Sequence, residues 1–277
     1  MRKLEYAGNR QTKTRRTHKI SVVILAVLIA GITFVVMHRQ ATAPEPRAPV
    51  QTSTNMPKTD MGRKGFKTFS GKEFARLYDS FVYPNTLMIN EDTPITGNAE
   101  ADSKLRELAE KRGYKLRSAP VTDTFVEIQT DMLLQRLAAL DWTKLNNRAK
   151  KAGLNLLLTD AYRSAKDQRA IFLQRIKSIP VESIASGEAD ARINGVLATT
   201  ALPGYSRHHT GYSVDIACKN DPAVKFEDSK CFLWLSKNNY SNAKKSGWIP
   251  SYPEGAGRQG PDPEAWEYVW VGTDALK

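Results

Sequence analysis

The sequence predicts an α+β domain carried behind an apolar N-terminal segment. Three observations carry that expectation. Segments of helical period are mixed with short strand-like runs, without the regular strand–helix alternation of a parallel sheet. A stretch at 20–37 (ISVVILAVLIAGITFVVM) contains no charged residue. The 277 residues are 41% hydrophobic and 25% charged, long and apolar enough for a buried core, which excludes a disordered or fibrous chain.

Residues 1–19 read as a basic cytoplasmic arm and 20–37 as a transmembrane helix, roughly 27 Å long and just enough for a bilayer core. Eight basic residues in 1–39 face the single Glu5, so +7 of the net charge of +12 lies there and +5 remains for the rest. That bias keeps the N-terminus inside and places residues 40–277 outside, extracellular or periplasmic. It also removes the main support for a nucleic-acid-binding role. The rival reading is a cleaved signal peptide, with Ala41-Thr42-Ala43 as cleavage site, but the apolar run exceeds the usual length. Both readings export the domain. Residues 38–68, rich in Pro, Thr and charge, read as a disordered linker.

The exported part divides into an N-terminal extension, 69–124, and a domain at 125–277. In the extension, Phe74, Leu77, Tyr78 and Phe81 predict a helix over 71–83. A second helix spans 98–112, with Asn98 as N-cap and Gly113 closing it. A third is expected over 128–152, with Met132, Leu133, Leu137, Leu140 and Leu145 as its apolar stripe. Residues 155–159 (NLLLT) read as a buried strand, 165–176 as a helix and 212–217 (YSVDIA) as a strand. A helix over 232–246 and a closing strand over 265–271 (AWEYVWV) complete the order.

Three stretches carry chemistry. In Ser206-Arg207-His208-His209-Thr210-Gly211-Tyr212-Ser213-Val214-Asp215, imidazole and carboxylate lie at the two ends of a loop–strand unit and suit Zn²⁺. Taken alone, this is as readily a surface loop. In Asp160-Ala161-Tyr162-Arg163-Ser164, with Gln168 following, a strand end presents a guanidinium that binds a carboxylate or steadies an oxyanion, unless it merely pairs with a structural acid. Glu264-Ala265-Trp266-Glu267 sets two carboxylates three residues apart, one for a metal and one for general-base work, or else both simply solvated.

Together, Tyr-Arg-Ser…Gln, Ser-x-His-x-x-Gly-x-x-x-Asp, Trp234-Leu235…Asn242-Ala243…Gly247-Trp248-Ile249…Tyr252-Pro253 and Glu-x-Trp-x resemble the VanY-type D-alanyl-D-alanine carboxypeptidases over roughly 125–272. The resemblance implies a hedgehog/DD-peptidase-like fold, a small antiparallel sheet flanked by helices. It also implies a zinc peptidase that trims peptidoglycan stem peptides. By position it makes His208 and Asp215 zinc ligands and Glu264 the general base. Arg163 becomes the oxyanion stabiliser, and Gln168 and Ser206 contact substrate.

The departure is the third ligand. The family has Glu-x-Trp-His; this chain has Glu267 in the His place. A competing register, set by Pro263 and Trp266 to Val269, puts Asp262 in the base position and Ala265 in the ligand position, which abolishes the site. The first register keeps Glu264 and supplies a residue that itself binds zinc. A His/Asp/Glu set polarises water less and shifts preference towards Mn²⁺, so a slower enzyme, a differently metallated one and one with no metal all stay open. Cys218 and Cys231 are expected to pair in an oxidising compartment; the rival readings are two small buried thiols, or Cys218 as a replacement zinc ligand, against which its alternation with Asp215 on the expected strand argues. Two function classes follow: a membrane-anchored metallo-carboxypeptidase acting on cell-wall peptide, and a degenerate domain that binds such a peptide or a partner without cutting.

Overall fold

The computed structural model describes residues 65–90, 93–121, 124–223 and 225–277. The basic arm, the apolar run at 20–37 and most of the linker lie outside the described residues. Among those described, no helix is long and apolar enough to cross a membrane.

The elements in chain order are α1 (Gly71–Ser80), β1 (Thr86–Met88), α2 (Ala99–Lys111), β2 (Ser118–Pro120), β3 (Phe125–Gln129), β4 (Met132–Gln135), α3 (Arg136–Lys151), β5 (Leu156–Asp160), α4 (Ala165–Ile176), α5 (Val181–Ala185), α6 (Asp190–Leu197), β6 (Ser213–Cys218), α7 (Lys230–Lys244), β7 (Trp248–Pro250) and β8 (Glu267–Trp270). The fold is mixed α+β. Strands β5, β6, β8 and β7, in that spatial order, form an antiparallel four-stranded sheet. Among the described residues, two separate antiparallel pairs, β1–β2 across α2 and the β3–β4 hairpin, complete the strands.

Apolar side chains collect in two cores. One joins α1, α3, α7 and the four-stranded sheet around Phe74, Trp142, Leu158, Val214, Trp248 and Tyr268. The other packs α2 against α4, α5 and α6 around Leu105, Phe172, Ile193 and Leu197. Helix starts follow side-chain capping: Ser70 and Glu73 form a reciprocal box at α1, Asn98 accepts the Ala101 N–H at α2, and Ser164 accepts the Asp167 N–H at α4.

Four expectations are corrected. The helix expected from 128 begins only at Arg136, because 125–135 is a hairpin. Asp131 takes φ +62° in its turn, and its N–H donates to Glu127 Oε1 at 3.1 Å. Val126 and Ile128, β-branched, favour that pairing over a helix. The buried stripe of α3 is Ala138, Ala139, Trp142, Leu145 and Ala149, while Leu137 and Leu140 face solvent. Helix α7 breaks at 237–240, where Asn238, Asn239 and Tyr240 take positive φ. There the Asn239 amide pairs with the Phe69 backbone, accepting its N–H at 2.9 Å and donating to its carbonyl at 2.8 Å. This bond gives the break a physical reason. Finally, the stretch read as linker meets the fold before residue 69. Phe66 packs on the core, the Lys67 N–H donates to the Leu276 carbonyl, and Lys244 Nζ donates to the Lys67 carbonyl at 2.6 Å.

Candidate metal centre and cleft

The sheet places acids in a row. Asp160 on β5 is the register partner of Asp215 on β6, and Asp215 is the register partner of Glu267 on β8. Like charges directly opposite one another on adjacent strands are unfavourable unless a cation is shared. His208 comes to this row from a 3-10 turn, Arg207–Thr210, started by Ser206, whose Oγ accepts the His208 N–H at 3.3 Å. Gly211 ends the turn at φ +73°, and a Cβ there would lie 2.8 Å from the Phe125 ring. Only glycine allows the chain to drop from His208 straight into β6.

His208 is 3% exposed. Its Nδ1 lies 2.6 Å from the Ala161 carbonyl, which makes Nδ1 the donor and leaves Nε2 free to act as a ligand. Nε2 lies 3.4 Å from Asp215 Oδ1 and 3.6 Å from Glu267 Oε2. Asp215 Oδ1 and Glu267 Oε1 are buried without a hydrogen-bond partner. Donor atoms of Asp215, Glu264 and Glu267 lie within 4.8 Å of one another, as do those of Asp160, His208 and Asp215.

The electrostatics register the same crowding. Burial opposes charge on His208, but the Asp215 and Glu267 carboxylates outweigh it and hold its pKa well above the ordinary value. Burial raises the Asp215 pKa, aided by Glu267 and Asp160. Burial, then Glu267 and Asp215, push Glu264 up to about 8. Glu267 alone moves down: against its burial, His208 and Arg207 favour its ionised form. A buried imidazole with a free Nε2, facing carboxylate oxygens that lack donors, fits a divalent cation. One nitrogen and two carboxylates suit Zn²⁺ and also tolerate Mn²⁺.

The cluster opens into a cleft of about 370 Å³ between the two cores, lined among others by Arg163, Ser206, His208, Asp215, Glu264 and Glu267. Arg163 follows β5; its guanidinium pairs with Asp160 and donates to Gln168 Oε1 at 2.7 Å. Gln168 departs from expectation. It is fully buried, and its amide is spent on Arg163 and on the Ala201 carbonyl, so it steadies Arg163 instead of facing the cleft. Asp262 stands apart from the cluster, exposed and paired with Arg112 at 3.0 Å. Geometry therefore gathers Glu264 and Glu267, the preferred register. Cys218 and Cys231 form a disulfide with Cα atoms 5.6 Å apart. His209 turns away from the row; its ring nitrogens meet the Arg163 carbonyl at 2.7 Å and the Gly204 N–H at 3.0 Å. Burial lowers its pKa to about 4.

Several contributors carry no clear sequence signal. Asp160 joins the row through a register shift in β5–β6. Arg207, 3% exposed, lies 3.8 Å from Glu267 Oε1, between the Tyr78 and Tyr252 rings at 4.4 and 3.9 Å. Its place inside Ser-x-His was the one available hint. Tyr114 and Arg117 of the extension also line the cleft.

The family profile described as VanY, D-alanyl-D-alanine carboxypeptidase, matches residues 131–273. No curated protein matches the sequence. Among solved structures, the chain is similar to a mutant of the vancomycin-resistance D,D-pentapeptidase VanY in complex with Zn(II), at 22% identity and TM-score 0.43, covering 59% of this chain and 83% of that one. It is also similar to the LdcB LD-carboxypeptidase, at 24% identity and TM-score 0.42, covering 57% and 68%. A third is DacB from Streptococcus pneumoniae, at 20% identity and TM-score 0.37, covering 57% and 74%.

Proposed function

We propose, on the premise that the chain belongs to the VanY family of D-alanyl-D-alanine carboxypeptidases, that it is a metal-dependent carboxypeptidase acting on peptidoglycan stem peptides. The observation that carries this reading is the register row Asp215–Glu267 with His208 Nε2 turned into it and Glu264 at its side.

His208, Asp215 and Glu267 would hold Zn²⁺. Bound there, the ion supplies Lewis acidity to the scissile carbonyl and to water. Glu264 takes a proton from the attacking water. The water oxygen bonds to the carbonyl carbon, the C–N bond breaks, and Glu264 returns the proton to the leaving amine. Without a cation, burial beside two acids raises the Glu264 carboxyl; a cation at the cluster favours the ionised form that accepts the water's proton. Arg163, held in place by Asp160 and Gln168, faces the carbonyl oxygen as charge develops on it. Ser206 lines the cleft as a substrate contact. The run at 20–37 anchors the domain, or directs its export, so that it faces the cell wall; a Cys218–Cys231 disulfide suits such an oxidising compartment.

The test is D-alanine release from a stem pentapeptide by the zinc-loaded protein and its Glu264→Gln variant. The variant is expected to lose turnover by about 10²–10⁴-fold while still binding peptide. Unchanged turnover removes Glu264 as the base. Binding without release by the unaltered protein favours the second reading, a peptide-binding domain, for which Glu267 in the family's His position is the supporting observation.

A further inference from the structure

The catalytic cleft shares a wall with a second cavity of about 310 Å³. Arg117, Arg207 and Gln259 line both, so the two spaces meet along these residues. Six cations surround the second cavity: Lys72, Arg76, Lys115, Arg117, Arg207 and Arg258. Asp79 is its one acid, already engaged by Lys115 at 2.7 Å and Arg117 at 3.2 Å. Among the described residues, Lys72, Arg76 and Arg258 enter no ion pair. Arg207 Nη2 and Arg117 Nε are buried without any acceptor. A pocket with this excess of positive charge, and with two buried guanidinium nitrogens unused, is complementary to an oxyanion.

The walls are fixed. Tyr114, between Gly113 and Lys115, packs so closely on Gly260 that a Cβ there would lie 2.5 Å from its ring. The Gly260 N–H donates to the Arg112 carbonyl at 3.0 Å, and Arg112 Nε donates to the Gly260 carbonyl at 3.1 Å. The cations at 115 and 117 therefore hold their place against Arg258 and Gln259. Lys72, Arg76, Lys115 and Arg117 all precede the 131–273 family match, so this wall is supplied by the extension.

We propose that this pocket binds a carboxylate carried by the peptide in the cleft, away from the bond that is cut, and so selects acidic peptides. The inference rests on the peptidase reading above. A carboxylate on the same peptide is favoured over a free anion because the pocket and the cleft share Arg117, Arg207 and Gln259, so a peptide in the cleft lies one side chain away from the pocket.

The test uses the full chain carrying Glu264→Gln, which prevents turnover, with two zinc-loaded binding titrations. The probes are a stem peptide with a free side carboxylate and the same peptide with that group as a carboxamide. The carboxylate form is expected to bind about 10-fold tighter, the scale of one charge-assisted bond. Adding Lys72→Gln with Arg76→Gln, both exposed, should abolish most of that preference and leave carboxamide binding unchanged. Equal affinities in the parent overturn the pocket and leave the peptidase reading standing. Binding of neither peptide overturns both. Inorganic phosphate that stabilises the protein through Lys72 and Arg76, with no preference between the peptides, assigns the site to a free oxyanion and overturns the proposal.

Discussion

Replacing Glu264 by Gln in the metal-free protein tests the electrostatics of the cleft without any substrate. Burial, then the Glu267 and Asp215 carboxylates, move the Glu264 carboxyl from its ordinary 4.5 to about 8, with His208 and Arg207 acting in the opposite sense. In the unfolded chain the group ionises near its ordinary value. Between the two values the folded protein keeps a proton that the unfolded chain has released. Folding stability therefore falls as pH rises from 4.5 towards 8, and the whole cost is present above that. At about 1.4 kcal/mol per pH unit, the cost is on the order of 3–5 kcal/mol. A glutamine escapes it. Urea denaturation with a chelator present should show equal stability for parent and variant near pH 4.5. Near pH 9 the variant should be the more stable by that amount. Adding Zn²⁺ should narrow the difference, because a cation beside Glu264 favours its ionised form. A gap that does not grow with pH refutes this account of the cluster.

The other expectations concern its neighbours. Glu267→His strips the buried Arg207 of a carboxylate 3.8 Å away; denaturation should show a loss of about 3–5 kcal/mol, partly recovered when Arg207→Gln is added. His209→Phe should cost about 1–3 kcal/mol, through the orphaned Gly204 N–H, and leave metal affinity unchanged; loss of metal would make His209 a ligand. Replacing both Cys218 and Cys231 by Ser should lower stability by about 3 kcal/mol, given the separation of 13 residues, as measured by thermal and urea melts.

The chemistry-bearing residues were legible because they lie in short local patterns. Ser206 to Asp215 and Glu264 to Glu267 each fall within one turn and one strand, and β6 and β8 need only pair to bring them together. Helix α4 matches the sequence expectation at both ends, its Ser164 cap being local. The errors have tertiary causes. The apolar stripe expected for the helix starts at Met132 and Leu133, yet 125–135 pairs as a hairpin whose Gln135 N–H is held by the Gly211 carbonyl at 2.9 Å. Leu137 and Leu140 looked like core, but α3 turns its small residues and Trp142 inward. The substrate contact at Gln168 came only from its position in the family motif; nothing local shows that its amide ends on the Ala201 carbonyl. The extension's part in the cleft was invisible, since Tyr114 and Arg117 reach it through contacts far along the chain: the Tyr114 ring on Gly260, and the Arg117 N–H on the Gly204 carbonyl at 2.8 Å.

The central claim is a cation held by His208, Asp215 and Glu267. Its most direct test is the metal content of the intact protein after equilibration with Zn²⁺ or Mn²⁺ at micromolar free ion, compared with that of a correctly folded His208→Ala variant. The account predicts close to one equivalent in the parent and a large loss in the variant. A parent that retains no metal, or a variant that retains all of it, contradicts the claim.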